Sequence, residues 1–288
     1  MIEELSAHEV VELIVPNEEI KARATKKLKA SKTSFKNLRM HITETGDIWI
    51  RDYGPIFVTK DSPNHEVAFT KWIYNAYGNK YDALLVGNEV VNQIPLTHYR
   101  KFETGIVLEG GSIDVNGSGT VLTTESCLLS PDRNPNMTKK EIEQALNDYL
   151  GCPNVLWLGE GIAGDDTTGH VDDLTRFVGP STVVTAVEED PKDANYKPLR
   201  ENADRLRTMK DEKGRPLTVL EIPMPKEFVV DGRRMAATHA NFLIANNVVL
   251  VPTYGQDSDE TALDILDRIR IQDNASHFQH YLKAPAIA

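Results

Sequence analysis

Hydrophobic and polar positions follow two different periods along the chain. Apolar residues recur at three- and four-residue intervals in five segments, the period of an α-helix with one buried face. These predicted helices are Asn17–Ala30, Asp82–Ile94, Thr138–Leu150, Asn195–Met209 and Ser258–Ile271. The third has the best-marked start, because Thr138 and Glu141 are spaced to bond each other's backbone N–H groups.

Short runs rich in β-branched and apolar residues lie between the helices and predict strands. They are Val10–Val15, Leu38–Ile42, Val67–Trp72, Gly105–Leu108, Thr120–Thr124, Val155–Leu158, Leu174–Val178, Thr182–Val187, Leu217–Ile222, Ala240–Ala245 and Val248–Val251. The order of strand, strand, helix and strand recurs about every sixty residues, and no low-complexity linker separates the units. One domain of repeated ββαβ modules is therefore favoured, with an ordinary α/β sandwich as the alternative.

Weak internal similarity supports the repeat. The tetrapeptide Gly169-His170-Val171-Asp172 opens one unit, and Thr238-His239-Ala240-Asn241 opens the next about one period later. Both precede a predicted strand, so the two histidines occupy equivalent positions in neighbouring modules.

Composition and charge narrow the classes of partner. With 288 residues, of which 40% are hydrophobic and 26% charged, the chain can bury a large core. The net charge is −11 and no basic stripe with interleaved aromatic residues occurs, which argues against a nucleic-acid partner. An acidic surface instead attracts cations. No signal peptide or membrane-spanning run is evident, so a cytoplasmic protein without a membrane partner is predicted.

The sequence contains two cysteines, Cys127 and Cys152. They are too few for a disulfide framework or a structural zinc site, and neither has a histidine nearby in sequence. Cysteines in such settings are mostly inert. Both are therefore predicted to be structural and to lie away from any active site.

Three segments carry candidate chemistry. The first, Trp49–Pro55, places Arg51 and Asp52 in a turn, although this segment alone favours a structural ion pair between the two. The second places Glu109 before Gly110 and Gly111, which let a ligand or another backbone approach closely, although a β-bulge is the common alternative.

The third segment, 164–173, concentrates four aspartates and one histidine. In an extended backbone His170 and Asp172 project to the same side, so an imidazole and a carboxylate would face one substrate group. A metal site and a solvated acidic loop are the alternatives, but no further histidine or cysteine lies nearby at ligand spacing. These residues therefore favour an active site.

Together the motifs resemble the family of agmatine deiminases and bacterial, Porphyromonas-type peptidylarginine deiminases, within the guanidino-group-modifying superfamily. The resemblance spans nearly the whole chain. It is carried by WIRDYGPIFV at 49–58, LEGGS at 108–112, RNP at 133–135, GDDTTGHVDDLTRFV at 164–178 and the strands at 240–244 and 248–252. It implies a pseudo-fivefold α/β propeller (pentein) of ββαβ units.

The resemblance also implies roles for individual residues. Asp52 and Asp172 would hold the guanidinium from either side, while Glu109 orients His170 and His170 relays protons to the departing ammonia. Further substrate contacts would come from Trp49, Arg51, Gly110 and Gly111. In relatives a cysteine thiolate attacks the guanidinium carbon, and no metal or organic cofactor is required.

The ends of the chain depart from the family pattern. Relatives carry the nucleophilic cysteine in a Gly-rich, strand-forming motif near the C-terminus, whereas the segment 272–288 has neither a cysteine nor a strand pattern. The segment Met1–Leu5 resembles the end of a helix that follows an earlier strand in relatives. We therefore expect a single propeller domain at 1–271, incomplete at both ends, and an atypical tail at 272–288.

These observations predict a guanidine deiminase family protein, most similar to enzymes that convert agmatine and water to N-carbamoylputrescine and ammonia. The predicted partner is a small cationic guanidine, with a homodimer as a further possibility. The nucleophile would be absent and the chain inactive. The alternatives are a peptidylarginine or arginine deiminase, and a non-catalytic guanidinium-binding protein or a non-functional gene fragment.

Overall fold

A computed structural model describes residues 1–60, 63–64, 66–272 and 280–285. The helices are α1 (Ile2–His8), α2 (Glu18–Lys29), α3 (Ile50–Tyr53), α4 (Ala76–Asn79), α5 (Gly87–Gln93), α6 (Glu125–Leu128), α7 (Lys139–Leu150), α8 (Tyr196–Leu206) and α9 (Asp257–Gln272). The strands are β1 (Val11–Val15), β2 (Leu38–Ile42), β3 (Ile56–Thr59), β4 (Val67–Ile73), β5 (Arg100–Val107), β6 (Asp114–Val115), β7 (Thr120–Thr124), β8 (Asn154–Leu158), β9 (Thr175–Gly179), β10 (Thr182–Val187), β11 (Thr218–Pro223), β12 (Val229–Val230), β13 (Arg233–Arg234), β14 (Leu243–Ala245), β15 (Val248–Thr253) and β16 (His280–Pro285). Over the described part of the chain, no helix has both the length and the apolar character that crossing a bilayer requires.

The predicted ββαβ repeat is present. In each of the sheets β3–β4–β5, β6–β7–β8, β9–β10–β11 and β14–β15–β16, the first two strands are antiparallel and the third is parallel to the second across a helical connection. The pair β1–β2 is parallel around α2 and corresponds to the second half of a module. The chain therefore has an α/β fold with mixed sheets. The sheets are separate in the described residues, so a closed propeller stays a prediction.

Helix α7 illustrates how the sequence specifies each module's helix. Thr138 accepts a hydrogen bond from the Glu141 N–H, and the Glu141 carboxylate accepts one from the Thr138 N–H, which confirms the predicted capping box. The apolar face at Ile142, Ala145 and Leu146 is buried against the sheet. Gly151, with φ +69°, ends the helix in the left-handed region that glycine tolerates best.

Hydrophobic clusters join successive modules. Each cluster contains residues from two neighbouring modules, and one of them connects the first module with the last. Representative pairs within one cluster are Ile14 with Tyr74, Trp72 with Val121, Leu122 with Phe177, Leu174 with Val251, and Leu5 with Leu250. Each module therefore completes its core only by packing on its neighbours, as expected for a repeat architecture.

The predicted helices are all present, with one change of type. The segment predicted at Asp82–Ile94 begins as a 3₁₀-helix over Asp82–Val86 and continues as α5. The strand predicted at Ala240–Ala245 starts only at Leu243, because the N–H of Phe242 bonds back to the carbonyl of Ala240 in a tight turn.

The expectation that the segment 272–288 has no strand is wrong in part. Residues His280–Pro285 form β16, which pairs in parallel with β15 from Val248 to Thr253. The backbone of β15 offers an edge for pairing, and such tertiary context can override a weak local pattern. The remainder of the predicted tail, residues 273–279 and 286–288, lies outside the described residues.

The contact between the first and last modules leads to a stability prediction. Leu5 of α1 is 8% exposed and packs in the cluster that contains Val248 and Leu250 of β15. We expect Leu5→Ala to lower the free energy of unfolding by about 2–4 kcal/mol, since it removes buried methylenes and leaves a cavity. Urea denaturation measures this change.

The control is Leu243→Ala, because Leu243 lies on β14 in the same sheet but is 45% exposed. Its cost should stay below about 1 kcal/mol. Equal, small losses in both variants would contradict the packing of α1 on β15.

Candidate active site

The carboxylate of Asp52 is held on both of its oxygens. Asp52 lies on α3, and its Oδ1 accepts a hydrogen bond of 2.9 Å from the backbone N–H of Gly111. Its Oδ2 accepts one of 3.0 Å from the hydroxyl of Tyr77. Asp52 is therefore fixed by two elements distant in sequence, rather than by the neighbouring Arg51.

Gly110 is required by close backbone packing. A Cβ atom on this residue would lie 1.9 Å from the carbonyl oxygen of Arg51, a distance that no real contact permits. The turn that carries Asp52 can therefore rest directly on the 3₁₀-helix Gly110–Ser112. Gly110 and Gly111 were predicted to let a ligand or another backbone segment approach closely. At Gly110 the approaching group is the backbone carbonyl of Arg51.

The neighbouring Gly111 marks the point where the candidate residues meet. A Cβ atom on Gly111 would lie 2.5 Å from His170 Nδ1, 2.7 Å from Asp52 Oδ1 and 2.9 Å from Asp172 Oδ2. Asp52 Oδ1 and Asp172 Oδ2 therefore lie close to each other. Their separation is well below the roughly 10 Å beyond which two carboxylates cannot both bind one guanidinium. The structure thus brings together Asp52, His170 and Asp172.

A short 3₁₀-helix, and not an extended strand, presents His170 and Asp172. It covers Val171–Asp173, so the expectation of an extended stretch is wrong. The preceding loop is tied by Asp165, whose carboxylate accepts hydrogen bonds from the N–H groups of Gly169 and His170. These local bonds stabilise a turn in place of a strand, because an aspartate can bond backbone groups a few residues ahead of it.

The imidazole of His170 is buried in a strongly acidic environment. Burial lowers its pKa, but the carboxylate of Asp52, the side chain of Cys127 and the carboxylate of Asp172 together raise it by more. The net result is a pKa well above the ordinary value for histidine. This shift favours the protonated form of His170, whose Nδ1 lies 3.7 Å from Asp52 Oδ1.

The pKa of Asp172 is also changed by burial and by its charged neighbours. Burial raises its pKa, the positive charge of His170 lowers it, and the negative charge of Asp52 raises it, with the net result a pKa of about 6. The adjacent Asp173 is also buried, and burial together with Asp172 raises its pKa well above the ordinary range. Its Oδ1 accepts a hydrogen bond from Asn241. The site thus crowds carboxyl groups together in the interior, where their charged forms are disfavoured.

Glu109 forms a fully buried ion pair with Arg133. The Nε of Arg133 donates to both carboxylate oxygens, at 3.1 and 2.9 Å, and both side chains have no exposed surface. Another guanidinium nitrogen of Arg133 donates to the carbonyl of Thr167, in the loop before His170. The orienting role predicted for Glu109 stays a prediction, although its carboxylate lies within 4.8 Å of a ring nitrogen of His170.

The expectation that Cys127 lies away from the site is wrong. Its sulfur lies within 4.8 Å of a ligand atom of Glu109 and of His170, behind the imidazole. No local sequence pattern indicated this position, because His170 approaches from another module. The side chain is completely buried, and burial raises the pKa of its thiol although His170 opposes this effect. A dication at this cluster would face the guanidinium of Arg133 bound to Glu109, which disfavours a metal.

Cys152 behaves as predicted for a structural residue. It packs in the hydrophobic cluster that contains Trp72 and Leu146. Burial raises the pKa of its thiol to about 11.

Two predicted substrate contacts have other surroundings. The guanidinium of Arg51 donates to the carbonyl of Ile113 at 3.0 Å. This hydrogen bond joins α3 to the residue that precedes β6. The side chain of Trp49 is 49% exposed beside α3. The binding role of Trp49 stays a prediction.

Sequence reasoning missed Tyr77 and the pairing of Arg133 with Glu109. Arg133 had a signal, since it lies in the RNP motif, but its partner is 24 residues away in the chain. For Tyr77 the sequence signal was the neighbouring Gly78, which indicates a turn. It does not indicate which residue the Tyr77 side chain contacts.

Comparisons with known proteins identify similar chains. Two relatives, from Legionella pneumophila strain Philadelphia 1 and Lactococcus lactis, carry the name "Putative agmatine deiminase". The first is 35% identical over 223 residues, which is 77% of this chain and 64% of the relative. The second is 39% identical over 252 residues, covering 79% of this chain and 68% of the relative. The chain thus spans about two thirds of the length of these relatives.

Solved structures give the same result. The C315S agmatine deiminase from C. jejuni with substrate bound superposes with a TM-score of 0.86 at 30% identity, covering 99% of this chain and 79% of its own. Agmatine deiminase of Enterococcus faecalis gives a TM-score of 0.86 at 32% identity, covering 99% and 80%. A dimethylarginine dimethylaminohydrolase, at 10% identity and a TM-score of 0.50, shares the fold alone. The model of the Porphyromonas-type peptidyl-arginine deiminase family matches residues 1–274, and the chain belongs to that family.

Proposed function

We propose that this chain is agmatine deiminase-like and that its site holds the guanidinium of agmatine between Asp52 and Asp172. The observation that carries the proposal is the convergence of one oxygen from each carboxylate on a single point beside His170. A guanidinium is planar and presents N–H groups on several sides, so two opposed carboxylates match both its charge and its geometry.

His170 supplies the proton chemistry of the proposed reaction. Agmatine and water give N-carbamoylputrescine and ammonia, so the amine that departs from the guanidinium carbon must receive a proton. His170 is suited to supply this proton, because nearby carboxylates raise its pKa and favour its protonated form. Its position beside both carboxylates places this proton next to the bound guanidinium.

Neither thiol of the sequence is suited to be the nucleophile. Cys127 is completely buried, and burial raises the pKa of both thiols, which lowers the fraction of reactive thiolate. Binding does not require a free thiol, and the C. jejuni relative with the C315S substitution has substrate bound. We therefore expect the 288-residue chain to bind agmatine without efficient turnover.

The module contacts support a pseudo-fivefold arrangement around this site. Asp52, Glu109 and Asp172 each lie shortly before the first strand of a module, β3, β6 and β9 respectively. Equivalent positions in successive modules would meet at one end of a common axis. The cluster formed by Leu5 and Leu250 supports closure between the first and last modules.

The substrate class has one alternative. The family description names peptidyl-arginine, whereas the Lactococcus and Enterococcus relatives carry the name agmatine deiminase. Calorimetry with agmatine, arginine and a blocked arginine peptide, measured side by side, distinguishes them. Tighter binding of the peptide than of agmatine would replace the proposed substrate.

We predict that agmatine binding depends on the two carboxylates. Asp52→Asn should weaken binding at least about tenfold, because a charge-assisted hydrogen bond to the guanidinium is lost. Asp148→Asn, an exposed carboxylate on α7, is the control and should bind like the parent chain. Isothermal titration calorimetry measures both, and equal affinities would refute the proposed site.

Ammonia release tests the expectation about turnover separately. The parent chain should release no more ammonia from agmatine than His170→Ala does, since both thiols are buried. Release that disappears in Cys127→Ser would instead make Cys127 the nucleophile and contradict this expectation.

The crowded carboxylates also predict a pH-dependent cost in stability. The pKa of Asp172 is about 6 in the folded chain and close to 3.8 when unfolded, so the native state binds this proton more tightly. This contribution is complete below pH about 4 and is lost as pH rises through about 6. Asp172→Asn should therefore be more stable than the parent at pH 7.5, by about 3 kcal/mol, and similar to it near pH 4.

Urea denaturation across this pH range measures the difference, with Asp148→Asn as the matched control. A gain at pH 7.5 that persists unchanged at pH 4 would show that the effect does not come from the titration of Asp172.

A further inference from the structure

We propose that Tyr77 is a positioning residue for Asp52, presented to that carboxylate by a left-handed turn of the backbone. The inference rests on the proposed function, because it assigns a role in holding the carboxylate that grips the guanidinium.

The contacts of Tyr77 restrict the carboxylate to one orientation. Its hydroxyl donates to Asp52 Oδ2 at 3.0 Å, while Gly111 N–H donates to Oδ1 at 2.9 Å. The Tyr77 side chain is 5% exposed, and its ring meets the ring of His170 edge to face at 6.0 Å. A carboxylate held by one donor on each oxygen cannot rotate without breaking a hydrogen bond.

The phenol of Tyr77 can only act as a neutral donor here. Burial raises the pKa of Tyr77 far above its ordinary value, and the charge of Asp52 raises it further. The hydroxyl therefore keeps its proton and shares it with the carboxylate. A hydrogen bond donated to a carboxylate favours its charged form, which is the form that binds a cation.

The backbone that presents Tyr77 is strained. The four successive residues Ala76–Asn79 have φ values of 54°, 60°, 82° and 62°, and only Gly78 among them is a glycine. Each of the others costs free energy in this region, so surrounding bonds must maintain the turn. Asn75 does so, since its Oδ1 accepts from the Gly78 N–H at 2.9 Å and its Nδ2 donates to the carbonyl of Asp132 at 2.8 Å.

The residues after this turn bond to the loop that carries His170. Lys80 Nζ donates to the carbonyl of Asp166 at 2.5 Å and to the Thr168 hydroxyl at 3.0 Å. The Tyr81 hydroxyl donates to the Asp166 carboxylate at 2.6 Å. One segment therefore contacts both sides of the site, and it fixes the spacing between Asp52 and the His170 loop.

The first experiment compares Tyr77→Phe with Tyr53→Phe. Each variant loses one buried phenolic hydroxyl, but the Tyr53 hydroxyl donates to the backbone carbonyl of Asp47 at 2.9 Å and not to Asp52. We expect agmatine to bind Tyr77→Phe about tenfold more weakly and the control within about twofold of the parent.

The second experiment is a double-mutant cycle with Asp52→Asn, measured by urea unfolding as well as by agmatine binding. If Tyr77 acts through Asp52, its substitution should have little further effect on binding in the Asp52→Asn background. In unfolding, the pair should show a coupling of about tenfold in the equilibrium constant.

The outcomes separate this inference from the proposed function. A parent chain that binds no agmatine would refute the proposed function, while the unfolding cycle would still decide whether Tyr77 is coupled to Asp52. Additive effects in that cycle would overturn the inference, as would equal losses of agmatine affinity in Tyr77→Phe and Tyr53→Phe.

Discussion

The site depends on an electrostatic constraint imposed at Gly111. Two carboxylates and an imidazole approach one position so closely that any side chain larger than hydrogen would collide with all three. Like charges at this distance repel, and burial removes the water that would screen them, which raises the pKa of Asp172 to about 6. The cationic His170 offsets part of this repulsion. A bound cation would offset the rest, which links stability to ligand binding.

The surrounding structure compensates for buried charge by pairing it. Glu109 is fully buried only because Arg133 donates to both of its oxygens, and Asp114 is likewise paired with Arg176 at 3.0 Å. Removing one partner of such a pair would leave an uncompensated charge in the interior, which is strongly destabilising. The pair of Arg176 and Asp114 also joins two modules, because Arg176 lies on β9 and Asp114 on β6.

The repeat explains why residues so distant in sequence meet. Asp52, Glu109 and Asp172 open successive modules, and His239 opens the next one at the position equivalent to His170. Yet His239 is completely buried, and its ring nitrogens are bonded to the carbonyl of Pro252 and the hydroxyl of Ser258. The same position therefore serves packing in one module and belongs to the candidate site in another, depending on what the neighbouring modules place beside it.

The sequence by itself determined the helices, most strands, the ββαβ repeat and the segments around Asp52, Glu109 and His170, because these depend on local periodicity, capping and motif chemistry. Only the tertiary structure decided which side chains are partners. Tyr77 donates a hydrogen bond to Asp52, Arg133 pairs with Glu109, and Cys127 lies within 4.8 Å of His170. It also decided that β16 pairs with β15. The reason is physical, since contacts between modules depend on how the modules pack, and no local pattern encodes which side chains that packing brings together.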